Sequence, residues 1–134
     1  MKNTMLEMTR YAALARQAVA EGGVLLKNEA VLPLAPGGRA ALFGYAQFHY
    51  YKSGTGSGGL VNVTHVPNLP EILGGDGGYR LDAEVQARYA AWLADHPYEM
   101  GTGWAQEPWA QEEMPLSDAT VRDARAVSEK ALIV

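Results

Sequence analysis

Apolar side chains recur at helical spacing near the start of the chain, at Leu6, Tyr11, Leu14, Ala15, Ala18 and Val19, until Gly22-Gly23 interrupts them. The spacing predicts a helix over 5–21, opened by a capping box of Thr4 and Glu7. Val24-Leu25-Leu26 is then a continuous apolar run, as is Ala40-Ala41-Leu42-Phe43 before Gly44. Both read as strands buried on two faces. Between them, Leu32 to Gly38 holds two prolines and two glycines and reads as a connection. Over 45–66, Tyr45, Phe48, Tyr50 and Tyr51 precede a glycine- and serine-rich stretch with little apolar surface, which predicts a long exposed loop. Asn68 to Leu73 forms a short helix, ended by Gly74-Gly75-Asp76-Gly77-Gly78. Asp82 caps a second long helix with Val85, Tyr89, Trp92, Leu93 and His96 on one face, ending at Pro97. Residues 98–116 carry no period and read as irregular. Ser117 caps a last helix over 117–129, with Leu116 and Val121 as a hydrophobic staple and Val121, Ala124, Val127 and Ala131 turned inward. It runs into the apolar strand Ala131-Leu132-Ile133-Val134.

Helices alternating with short apolar strands define the α/β class, and the order predicts a three-layer α/β/α sandwich with a mostly parallel sheet. The loop after strand 40–43 then leaves the carboxyl end of the sheet, the edge where such sheets bind ligands. A buried strand at residues 131–134 belongs in the middle of a sheet, so residues 1–134 are expected to form a single partial domain, a fragment of the whole sandwich. Its open edge would expose apolar surface suited to pairing with a second copy.

Composition narrows the chemistry. The chain has 134 residues, is 48% hydrophobic and 19% charged, and contains no cysteine, which excludes a disulfide framework, thiolate zinc sites and a cysteine nucleophile. Net charge is −4, unevenly spread: residues 1–60 carry six basic and three acidic side chains, residues 61–134 five basic and twelve acidic. Six acids and no Lys or Arg fall between Asp95 and Asp118, which argues against nucleic acid or an anionic membrane as partner. No apolar run approaches the roughly 20 residues that cross a bilayer, and Met1 to Met5 lack a signal-peptide core; a cytoplasmic location is the expectation.

Among candidate sites, Lys52 with Gly54-Thr55-Gly56-Ser57-Gly58-Gly59 offers exposed backbone N–H groups, two hydroxyls and a cation. Phosphate-binding glycine loops either follow their strand directly or place Gly-Lys-Ser/Thr at a helix start, and this stretch does neither. A neutral polyol suits it better, since hydroxyls and amides can exchange hydrogen bonds with a sugar; an ordinary connecting loop has the same composition. Trp104, Trp109, Tyr50 and Tyr51 are candidate platforms for sugar rings or covers for bare backbone. His49, His65 and His96 are too scattered for a metal motif, and no metal or other cofactor is expected. Glu112-Glu113 read as solvated surface rather than an acid/base pair, and Ser117-Asp118 as a cap.

Taken together, Ala15-Arg16, Val24-Leu25-Leu26-Lys27-Asn28-Glu29, Leu32-Pro33-Leu34, Ala41-Leu42-Phe43-Gly44 and Lys52-Ser53-Gly54-Thr55-Gly56-Ser57-Gly58 resemble the α/β-sandwich domain of glycoside hydrolase family 3, the β-glucosidase family. The match is dense from Ala15 to Leu73 and thin beyond. The resemblance implies a retaining hydrolase acting on a β-linked glucoside or oligosaccharide through two carboxylates about 5–5.5 Å apart. It also implies that a barrel domain of the same polypeptide carries the nucleophile. Ser57 is the implied sugar contact, with Lys52, Gly54, Thr55, Gly56 and Gly58 shaping its loop. Many relatives have Asp after the matching Ser-Gly, where this chain has Gly59. The acid/base sits in the family's Gly-Glu loop beyond the strand matching 131–134, and this sequence has no Gly-Glu pair and no barrel. Residues 1–134 alone are therefore expected to hydrolyse nothing. Met1 close before the first helix suggests the inverted domain order, sandwich before barrel. The alternatives are a non-catalytic sugar-binding or interaction module and, on weaker spacing, a nucleotide-binding domain.

Overall fold

The computed structural model describes residues 7–49, 63–75, 78–102, 106 and 108–134, which fall into two compact units, Met1–Leu34 and Ala35–Val134. In the first, helix α1 spans Met8–Gly22. Its N-cap is Glu7, whose side chain makes no capping bond to the first turn; the expected capping box involves Thr4, which lies outside the described residues. The expected strand at Val24-Leu25-Leu26 is absent: these residues have no regular structure, and Leu26 is 92% exposed. An apolar run becomes a strand only with a ladder partner, and these residues take part in none of the strand pairings among the described residues. Asn28 orders the turn that comes next, its Oδ1 accepting from the N–H groups of Val31 and Leu32 and its Nδ2 donating to the Leu32 carbonyl.

The second unit is built on strand β1, Arg39–Phe43, flanked by β2, Arg80–Leu81, and β3, Lys130–Ile133. Both pairings are parallel, Ala40 facing Leu81 on one side and Lys130 on the other. The sheet thus has the parallel α/β character read from the sequence, although β2, at two residues, carries no pattern that predicts it. Helices α2, Leu69–Gly74, α3, Ala83–Asp95, and α4, Asp118–Val127, complete the unit. Ala41 and Phe43 pack with Val85 and Tyr89 of α3, Ala124 of α4 and Met114. Ala40 and Leu42, on the opposite face of β1, are equally buried, so the strand is covered on both sides. None of the described helices is long and apolar enough to cross a membrane.

The caps predicted at Asp82 and Ser117 are made: Asp82 accepts from the N–H groups of Glu84 and Val85, and Ser117 from that of Thr120. Asn68, read as the first residue of its helix, is its N-cap and accepts from the Glu71 N–H. Asp82 also accepts from the Ser128 hydroxyl at 3.1 Å, joining the start of α3 to the turn before β3. Arg88 ties α3 to α4 through Thr120 at 2.8 Å and Asp123 at 3.2 Å. The inward face of α4 differs from expectation: Thr120 and Ala124 are buried, whereas Val121 and Val127 are half exposed. Thr120 faces Arg88 of α3, and Ala124 packs in the core with Ala41 and Phe43.

Candidate functional site

The chemistry converges at the carboxyl end of β1. Phe43 is followed by Gly44, with φ 103° and ψ 136°, a conformation that only glycine adopts without strain. A Cβ at Gly44 would lie 2.1 Å from the Val134 carbonyl oxygen. The turn leads into a short 3-10 helix, Tyr45–Gln47. Tyr45 and Gln47 are buried here, in place of the exposed loop expected from residue 45 onward. Gln47 secures the turn from below: its Nε2 donates to the carbonyls of Leu42 and Gly44, and its Oε1 accepts from Gln86 at 2.8 Å.

A second set of bonds holds the turn from the side. The Gly44 N–H donates to the Tyr89 hydroxyl at 2.6 Å, and that hydroxyl donates to Glu113 Oε1 at 3.1 Å. Glu113 Oε2 accepts from the Tyr45 N–H at 2.6 Å, while Oε1 also takes the Met114 N–H at 2.9 Å. Glu113 is exposed, as read from the sequence, and it is also a structural acceptor for three donors, which that reading did not include. Nothing in its spacing signals this, because its partners lie far away in the chain; Gly44 directly after an apolar run is the visible hint.

Burial pushes the Tyr89 hydroxyl up from 10.0 to about 12; the Gly44 N–H opposes this, and the Glu113 charge adds to it. The folded state thus favours the neutral phenol. Its contribution to stability is complete below pH about 10 and is lost as pH rises through about 12. We expect Tyr89 to ionise above the ordinary tyrosine range, near pH 12, in a phenolate absorbance titration. Tyr89→Phe should flatten the loss of stability over that interval; an equally steep loss in the variant would contradict the assignment.

Aromatic rings gather at the same edge. Tyr45, His49 and Tyr98 stack nearly parallel, His49 lying 4.8 Å from Tyr98 and 5.4 Å from Tyr45 between ring centroids. Burial lowers the His49 pKa below its ordinary 6.5, so the ring is neutral at pH 7. His96 is the C-cap of α3 and lies flat on Trp92, 3.5 Å between centroids, its Nδ1 3.1 Å from the Trp92 carbonyl. His65 pairs instead with Glu71. Among the described residues no three His, Asp or Glu side chains converge as metal ligands. Trp109 is fully exposed. Lys52, Gly54, Thr55, Gly56, Ser57 and Gly58, with Tyr50, Tyr51 and Trp104, lie outside the described residues. His49 is the last described residue before that stretch.

No protein-family model matches the chain. A β-glucosidase from Ruminococcus albus is 44% identical over 129 residues, 96% of this chain and 14% of the relative. Beta-glucosidase A from Butyrivibrio fibrisolvens is 36% identical, again over 129 residues, covering 92% of this chain and 14% of that protein. This chain resembles a segment of β-glucosidases. Solved β-glucosidases agree: the Paenibacillus barengoltzii enzyme superposes with a TM-score of 0.83 at 44% identity, over 92% of this chain and 13% of that one. β-Glucosidase 3B from Thermotoga neapolitana, in complex with glucose, gives 0.76 at 26% identity, over 95% of this chain and 18% of that one. The resemblance carried by the Ala15–Leu73 motifs thus extends over almost the whole chain, including the part where motifs are thin. The chain spans about one seventh of the length of these β-glucosidase relatives.

Proposed function

We propose that this chain is part of a retaining β-glucosidase of glycoside hydrolase family 3, supplying the α/β-sandwich edge of the active site while a barrel domain of the same polypeptide supplies the nucleophile. Identity of 44% to a β-glucosidase across 96% of the chain carries the reading. Two further features support it. The chain leaves β1 at the carboxyl edge through a turn held by Gln47, Tyr89 and Glu113, and a rigid base of this kind suits a loop that must hold a sugar. The stretch beyond that turn carries Lys52, Gly54, Thr55, Gly56, Ser57 and Gly58, with Ser57 as the sugar contact. Both catalytic carboxylates lie outside residues 1–134 on this reading, so the substrate, a β-linked glucoside or oligosaccharide, is positioned but not cleaved by this segment alone.

The test is hydrolysis of an aryl β-glucoside by the intact gene product and by residues 1–134. The intact protein should turn over and the isolated residues should not. Ser57→Ala in the intact protein should lower kcat/KM about tenfold, the equivalent of one lost hydrogen bond of roughly 1.4 kcal/mol. Turnover by residues 1–134, or an intact protein without activity toward any β-glycoside, would sink the proposal.

A further inference from the structure

A pocket of about 490 Å³ opens between the end of α3 and residues 110–112, and every residue that lines it is among the described ones. Its size lies within the range of small-molecule sites. Asp95, Glu99 and Glu112 bring three carboxylates to the wall, and no Lys or Arg lines it. These carboxylates do not converge on a point: among the described residues no three His, Asp or Glu side chains are placed to hold a metal ion. The hydrogen-bonding groups are unbalanced in the same sense. Gln111 commits its amide to the backbone of Glu99, Oε1 accepting from the N–H at 3.1 Å and Nε2 donating to the carbonyl at 2.9 Å, and His96 Nδ1 lies 3.1 Å from the Trp92 carbonyl. The wall is left rich in acceptors and poor in donors. Its aromatic part is fixed, since Tyr98 lies nearly parallel to His49 and Tyr45 and His96 lies flat on Trp92.

We infer that this pocket binds a small organic ammonium ion, a protonated amine carried on an apolar body. An ammonium group has donors and no acceptor, which matches a wall of carboxylates, and its charge is attracted to the face of a tyrosine ring while the alkyl part packs beside it. Tyr98 supplies that ring, and Asp95, Glu99 and Glu112 supply the acceptors. Glu112 Oε2 stands 4.0 Å from His96 Nε2, beyond hydrogen-bond reach, so this carboxylate is able to turn to a ligand. Other ligand classes fit less well. The carboxylates repel phosphate and carboxylate groups, a neutral polyol finds few donors for its own oxygens, and a bare metal ion finds no converging set of ligands. The inference stands on the pocket, its charge and its acceptors, and it does not depend on the β-glucosidase reading.

The experiment is an amide-resonance titration of the full 134-residue chain with butylammonium chloride, at an ionic strength held constant with sodium chloride, and with butanol as the uncharged probe of the same apolar body. Butylammonium should move the signals of residues 95–99 and 110–112 saturably, with a Kd of about 1–10 mM, and butanol should give no saturation over the same range. Tyr98→Ala should weaken the binding about fivefold and Tyr98→Phe should keep most of it. Glu99→Gln and Glu112→Gln should each weaken it by several-fold. Both glutamates are exposed, so these two variants report on binding even where Tyr98→Ala fails to fold. Glu84→Gln makes the same change of charge at the other end of α3 and should leave the affinity as it is. No saturable shift up to about 0.1 M, a response to butanol as strong as that to butylammonium, or a loss from Glu84→Gln equal to that from Glu99→Gln would each overturn the inference.

Discussion

Gly44→Ala is expected to cost the Ala35–Val134 unit about 4 kcal/mol or more, and to lower its melting temperature by about 15 °C or abolish its cooperative transition. Two penalties coincide at this position. The backbone has φ 103°, where an L side chain is strained. The new methyl would also lie 2.1 Å from the Val134 backbone oxygen, in a residue held in place by its N–H bond to the Phe43 carbonyl. Gly37 is the natural control, because its φ is 77° but nothing lies within 4 Å of its Cβ position. Gly37→Ala should cost only the conformational part, about 1 kcal/mol. Thermal unfolding of both variants by circular dichroism separates the terms, and a Gly44→Ala protein melting as high as Gly37→Ala would show that the contact with Val134 is not made.

The second large effect is expected at Glu113. Removing its carboxylate leaves the N–H groups of Tyr45 and Met114 and the hydroxyl of Tyr89 without the acceptor they share. Hydrogen bonds to a charged group contribute about 1.5–3 kcal/mol each when buried. The Glu113 side chain is itself partly in solvent, so water replaces some of the loss, and Glu113→Ala should destabilise by about 2–3 kcal/mol in urea unfolding. Glu113→Gln keeps one acceptor oxygen and should fall between. It should also let Tyr89 ionise at lower pH, since the Glu113 charge raises its pKa. A Glu113→Ala protein as stable as the parent would mean that the turn after β1 is held by Gln47 and Tyr89 without it.

The features legible in the sequence were the local ones. Asp82 and Ser117 announce their helices because a cap is decided by a side chain and the two or three N–H groups just beyond it. Phe43-Gly44 marks the end of a strand because glycine alone tolerates the turn. The strand expected at Val24–Leu26 shows the limit of this reading, since apolarity records a wish for burial while a strand also requires a neighbour to bond. β2 had the opposite fate: two residues carry no pattern, and Arg80–Leu81 becomes a strand only because β1 is there to pair with it. Glu113 and Gln111 were illegible for the same reason, as each acts on backbone groups that folding brings to it. The sugar-loop residues were read through family resemblance, and they lie outside the described residues.

The register of the sheet has a consequence for synthesis. β1 pairs with β3 about 90 residues further along the chain, Ala40 against Lys130 and Phe43 against Ile133. On the ribosome, the segment that becomes β1 is therefore finished long before the strand that covers one of its edges, and in that interval Ala41 and Phe43 have α3 to pack against while one edge of the strand stays open. Val134 then bonds Phe43 and closes over Gly44. The carboxyl edge of β1 is thus among the last parts of this unit to be completed, and a nascent chain halted short of residue 130 would carry the described helices and the short β1–β2 pairing but not the longer pairing with β3.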